Sequence, residues 1–134
     1  MSAEHIAGIV ATVEAAGLTI YDTNVPTLPN FPYLLLSAPD FDRIALSLDD
    51  IPRDIDSYFQ LTAVGSTVNE CRRIQDSARV ALDRKAPAVT GYVTHTKRTS
   101  PGKVYPDTSI TLPQTDSNPF LAPDQWRYTA TPTA

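Results

Sequence analysis

SYFQLTAVGSTVNECRRIQDSARVALDRK, residues 57–85, is the stretch that decides the fold. Ser57 to Val64 is rich in aromatic and β-branched side chains and reads as a strand. Strand alternation puts Phe59, Leu61 and Ala63 on one face and Tyr58, Gln60 and Thr62 on the other. Gly65 breaks the run. Thr67-Val68-Asn69-Glu70 then matches a capping box, in which the Thr hydroxyl and the Glu carboxylate each satisfy an orphan amide of a new helix. Val68, Cys71, Ile74, Ala78, Ala81 and Leu82 recur at helical spacing, with Arg72, Arg73, Asp76, Arg79, Asp83 and Arg84 on the solvated side. Pro87 ends the helix.

Working outward toward the N-terminus, Ser2 can cap a first helix with Glu4 in its first turn, and Ile6, Ile9, Val10 and Val13 give it an apolar face. Gly17 supplies the stop. Leu18 to Tyr21 reads as a short strand, and residues 22–32, with three prolines, as an irregular connection. Tyr33 to Ser37 is a compact apolar run expected to be a buried strand, and Ile44, Leu46 and Leu48 alternate as a half-buried one. Asp49, Asp50, Asp54 and Asp56 fall in an acidic turn before the central unit.

Toward the C-terminus, Val89, Gly91 and Val93 alternate with Thr90, Tyr92 and Thr94 as a strand. Residues 96–124 carry five prolines and read as a long Pro-rich arm, a length uncommon for a loop without a role. Trp126, Tyr128 and Ala130 close the chain on a strand. The expectation is one α+β domain over residues 1–134, with a mostly antiparallel sheet of about five or six strands and both helices packed on one face.

Composition narrows the function classes. Among 134 residues there are 12 Pro against 5 Gly, which punctuate loops between well-formed apolar runs. A single cysteine, Cys71, excludes an internal disulfide, sits on the apolar side of its helix, and fits a reduced setting. No basic n-region precedes the mildly apolar residues 3–17, and no apolar run approaches the roughly 20 residues of a membrane span. Net charge is −4, unevenly spread. Residues 1–60 hold nine acidic residues against Arg43 and Arg53, a net of −7; residues 61–134 hold six against nine Lys/Arg, a net of +3. Opposite patches of this kind let copies of one chain attract each other head to tail.

Catalytic signatures are missing. His5 and His95 have no Ser or Cys nucleophile motif beside them. Gly65-Ser66-Thr67 lacks the flanking glycines and the lysine of a phosphate cradle. The acidic turn is interrupted by Pro52 and has no glycine or late Glu at calcium-loop spacing. One Cys and two His do not make a zinc site unaided, so no cofactor and no metal is expected. Arg72, Arg73, Arg79, Arg84 and Lys85 are basic, but a pI near 4.9 argues against sequence-specific nucleic-acid reading.

Tyr58 to Thr67, the helix Asn69 to Arg84, and the closing Trp126-Arg127-Tyr128-Thr129-Ala130 together resemble the core of tail terminator proteins of long-tailed, siphovirus-type bacteriophages. The resemblance implies a structural virion protein of the tail or neck, assembled in the host cytoplasm and without catalytic residues. It implies a homo-hexameric ring that ends the tail tube and joins it to the head connector. Its partners would then be itself, the tail tube protein and the head-closure protein, with DNA passing through the lumen unbound and no membrane contact. A head-closure, adaptor or tail-completion subunit is the alternative, and a small-molecule binding domain or enzyme a further one. Within a ring, Asp49, Asp50, Asp54 and Asp56 of the acidic turn and Lys97, Arg98 and Lys103 of the basic arm are the candidate inter-subunit contacts.

Overall fold

The computed structural model describes residues 3–27, 29–39, 41, 43–44, 54–108 and 118–133. The first elements are helix α1 (Ala3–Ala15) and strands β1 (Ile20–Asp22), β2 (Tyr33–Ser37) and β3 (Arg43–Ile44). They are followed by β4 (Asp54–Gly65), α2 (Val68–Leu82), β5 (Tyr92–Ser100), β6 (Tyr105–Pro106) and β7 (Phe120–Pro132). The strand–glycine–helix unit read from residues 57–85 is therefore β4 and α2. A Cβ on Gly65 would lie 2.5 Å from the Cys71 amide nitrogen, so only a bare backbone lets α2 fold back this closely on β4. Thr67 Oγ1 accepts from the Glu70 N–H at 3.1 Å, as a capping box requires. Glu70 reaches one residue further back than that pattern: its Oε1 accepts from both the N–H and the hydroxyl of Ser66, each at 2.9 Å.

The sheet has seven strands, with β1-β2-β4-β7-β5 as its spine, β3 on β4 and β6 on β7. Only β1 and β2 pair in parallel; the other pairs are antiparallel. The α+β class read from the sequence is the class observed. The central seam joins β4 to β7 from Ile55↔Ala130 to Gly65↔Phe120. Alternation turns Ile55, Phe59, Leu61 and Ala63 to the same face as Ala122, Trp126, Tyr128 and Ala130, and Leu34 and Leu36 of β2 join them. All ten are buried, and they meet Ile9 and Val13 of α1 and Cys71, Ile74, Ala78 and Leu82 of α2. Burying a side chain of this kind stabilises by about 1.5–3 kcal/mol relative to exposure, so this one face supplies most of the driving force. Phe59 and Trp126 stack across the seam at 6.0 Å between ring centroids. Ala63 and Ala122, paired at the end where α2 starts, leave room for the helix; there the Cys71 thiol donates to the Ala63 carbonyl at 3.4 Å.

Four sequence expectations shift. The strand expected after Gly17 over Leu18 to Tyr21 lies at Ile20–Asp22. The strand expected over residues 89–94 is displaced to Tyr92–Ser100, because Val89 instead accepts the Tyr92 N–H in a turn. The arm expected from residue 96 begins as this regular strand and is pinned again at β6, where the Asp107 N–H donates to the Pro119 carbonyl at 2.8 Å. Asp54 and Asp56 belong to β4, not to a turn. The Ser2 cap, the strand beyond Ile44, the rest of the acidic turn and residues 109–117 of the arm lie outside the described residues.

An edge strand invites unwanted pairing, and β5 is an edge. Its outward backbone is covered by the chain leaving α2. Thr96 exchanges backbone hydrogen bonds with Arg84 (2.7 Å) and Lys85 (2.9 Å), and the Arg98 N–H donates to Asp83 Oδ1 at 2.9 Å. The Thr96 hydroxyl donates to the Leu82 carbonyl at 2.5 Å, a second hydrogen bond to a helix-end acceptor that also takes the Lys85 N–H at 3.1 Å. We expect Gly65→Ala to cost about 1–3 kcal/mol in urea unfolding through the clash with Cys71; an unchanged midpoint would show that the strand–helix approach tolerates a side chain.

Candidate subunit-contact surfaces

The seven residues singled out from the sequence do not form one surface. Asp49 and Asp50 lie outside the described residues. Asp54 is buried at the start of β4, opposite Ile44. Asp56 is on the sheet face away from the helices, where the Arg127 guanidinium grips its carboxylate with two hydrogen bonds of 2.8 and 2.6 Å. Lys97 is exposed on that same face, opposite Arg127 in the β5–β7 register. Arg98, its neighbour, turns to the helix side and donates to Asp124 Oδ2 at 3.4 Å. Lys103 is exposed in the loop between β5 and β6. Of the seven, Asp56 and Lys97 come together, through Arg127.

The face away from the helices is polar and layered by register. One row is Asp56–Thr129–His95, and the next is Tyr58–Arg127–Lys97. Beyond them the Gln125 amide donates to Gln60 Oε1 at 2.9 Å, and the Thr99 hydroxyl donates to the Gln125 carbonyl at 3.1 Å. Tyr58 is 57% exposed. The hydrogen bonds from Arg127 hold the Asp56 carboxyl below its ordinary value, outweighing a smaller opposing effect of burial.

A buried carboxylate that sequence reading missed organises the opposite side. Asp124, 3% exposed, accepts from Gln75 Nε2 and from the Gly102 N–H, both at 2.7 Å, through one oxygen. Gln75 also donates to the Gly102 carbonyl at 2.9 Å. Gly102 itself lies so close to the Pro123 carbonyl that any Cβ would collide with it. One side chain thus joins α2, the loop after β5, and β7. His5 does the same for α1: buried, its Nδ1 lies 2.6 Å from the Tyr128 hydroxyl. Burial, then Glu4 and Tyr92, push the Tyr128 hydroxyl above its ordinary range. Burial likewise pushes the Cys71 thiol up to about 11, consistent with a packing residue and not a thiolate nucleophile.

Among the described residues no group of His, Cys, Asp and Glu could hold a metal ion. A shallow cleft of about 370 Å³ along residues 86–94 is lined by Pro87, Val89, Thr90, Tyr92, Val93 and Thr94, offering hydroxyls and no charged side chain. Among the described residues no helix is long and apolar enough to cross a membrane.

Two outcomes follow from these contacts. Asp124→Ala leaves the Gln75 amide, the Gly102 N–H and Arg98 without their acceptor and should cost about 1–3 kcal/mol, with amide exchange at Gly102 rising more than global unfolding accounts for. Asp56, with its folded pKa depressed, contributes stability above the carboxylate's unfolded pKa and loses it as pH falls through the folded value. Asp56→Asn should therefore be less stable than wild type near neutral pH, and the gap should close as pH falls below the ordinary carboxylate range; a gap independent of pH would exclude the ion pair as its cause.

No protein-family model matches the chain, and no curated protein matches it in sequence. Solved structures do match. A chain described as "Virion of native gene transfer agent (GTA) particle" superposes with a TM-score of 0.63 at 12% identity, covering 92% of this chain and 92% of that one. A second solved protein, whose name carries no function, superposes with a TM-score of 0.62 at 14% identity, covering 98% of this chain and 96% of that one. At these identities the likeness is one of fold, extending over nearly the whole of each chain.

Proposed function

We propose that this chain is a structural subunit of a phage-type virion, and more specifically the ring-forming protein that ends a tail tube and joins it to the head connector. The observation that carries the virion role is the fold shared, over 92% of both chains, with a component of the gene transfer agent particle. The finer assignment leans on the resemblance of Tyr58 to Thr67 and Trp126 to Ala130 to tail terminators. Its partners in this reading are further copies of itself, the tail tube protein and the head-closure protein, with DNA passing through the lumen.

The physical character of the surface suits such a role. The uncovered sheet face carries hydroxyls, amides and a neutralised Asp56–Arg127 pair, a surface able to lie beside other macromolecules without gripping them. A chain of net charge −4 also avoids the strong counterion-release attraction that would hold DNA in a channel. The role proposed is mechanical, not enzymatic.

Native mass spectrometry and negative-stain imaging of the purified protein, alone and with tail tubes, test this reading. The expected result is a six-membered ring, formed alone or on the tube end. A particle that stays monomeric and ignores tube ends overturns it, and binding to head connectors but not to tubes favours a head-closure or adaptor subunit.

A further inference from the structure

Both helices present an outward row of side chains that no part of the described chain covers, and the two rows are complementary. On α1 the exposed positions Glu4, Ala7, Ala11 and Glu14 follow one another at spacings of three and four residues, which places them on one stripe. The stripe has carboxylates at its ends, about 15 Å apart at 1.5 Å per residue, and a flat alanine surface between them. Its only histidine, His5, is buried and approaches Glu4 Oε1 at 3.6 Å through Nε2, and the last turn of α1 holds no basic residue. On α2 the exposed positions are Asn69, Arg72, Arg73, Asp76, Ser77 and Val80. Asp76 is occupied by Arg79, whose Nε and Nη2 both donate to its Oδ1, at 3.0 and 2.8 Å. This leaves the outward face of α2 positive at Arg72 and Arg73. Val80, at 59% exposure, is the one large apolar side chain on it.

We infer that α1 of one copy of this protein docks on α2 of another, with Val80 seated on the Ala7–Ala11 flat and one of the two end carboxylates facing Arg72 and Arg73, which both lie N-terminal to Val80 on α2. Ala7 and Ala11 allow the close approach that a protruding valine needs, as a knob enters a shallow hole. The flanking charges set register and choose the partner more than they add raw affinity. Within one molecule the two outward rows cannot meet, because both helices pack on the same face of the sheet through His5, Cys71 and their neighbours. Two different patches are involved, so the contact either closes on itself about a twofold axis, made twice, or passes from copy to copy around a ring. The inference stands on this charge pattern and not on the ring reading, and it uses surfaces other than the acidic turn and the basic arm.

The test is a charge swap in the full chain, read by analytical ultracentrifugation at about 0.05 M and about 0.5 M salt, where screening differs severalfold in range. One variant carries Glu4→Lys with Glu14→Lys, the other Arg72→Glu with Arg73→Glu; all four positions are exposed, and circular dichroism melts check that each variant folds. The expected result is self-association of wild type that weakens at high salt, a loss of at least about tenfold in each variant, and recovery when the two variants are mixed. Val80→Asp, which leaves the charges alone, should weaken association as well. Wild-type assembly that both variants retain overturns the contact while leaving the ring reading intact. A salt-sensitive, charge-swap-rescued dimer supports the contact and counts against the ring, and a wild type that stays monomeric at both salts overturns the contact, leaving the ring reading to the test with tail tubes.

Discussion

The pairing of β4 with β7 is the constraint on which the rest of the molecule depends. It joins residues 55–65 to residues 120–130 in unbroken register, and every other strand attaches to one of these two, β1 through β2. Because side chains alternate, this register decides at once which face receives Phe59, Trp126 and Tyr128 and which receives Tyr58, Gln125 and Arg127. A slip by one residue would expose the aromatic core and bury the Asp56–Arg127 pair. The pairing closes a loop from Gly65 to Phe120, so it carries a large share of the entropy cost of folding and repays it only once the aromatic face is buried.

The two helices follow from that face. α2 docks closely because Gly65, Ala63 and Ala122 clear a path for it, and its capping residues hold its start against the strand it has just left. α1 has less apolar surface to offer and is fixed by a polar contact, His5 to Tyr128, inside an aromatic cluster. The Asp124 network performs the same service for the segment after β5. Each of these buried polar groups has partners supplied by a different element, so each acts as a joint between parts that hydrophobic burial alone would leave free to slide.

The surfaces left over are what a protein of this shape has for meeting others: a polar sheet face, and two helix rows of opposite sign. Burial of the Cys71 thiol and neutralisation of Asp56 by Arg127 remove two groups that might otherwise read as reactive.

Much of this was legible in the residues. The β4–α2 unit announced itself through Gly65, the Thr67–Glu70 box and the 3.6-residue stripe, because these are local rules that any chain obeys within a few residues. Trp126, Tyr128 and Ala130 marked β7, and carrying that alternation back by two would have put Asp124 on the buried face. The sequence alone could not say that Gln75 and Gly102 are its partners, since they lie 49 and 22 residues away. Nor could it say that Lys97 and Arg98 point to opposite faces, that Asp56 is spent on Arg127, or that residues 96–100 form an edge strand. Local periodicity determined the helices and the strand faces, since it depends on backbone geometry. Only the tertiary structure decided which charges stay available, since that depends on which distant strand each one is set against.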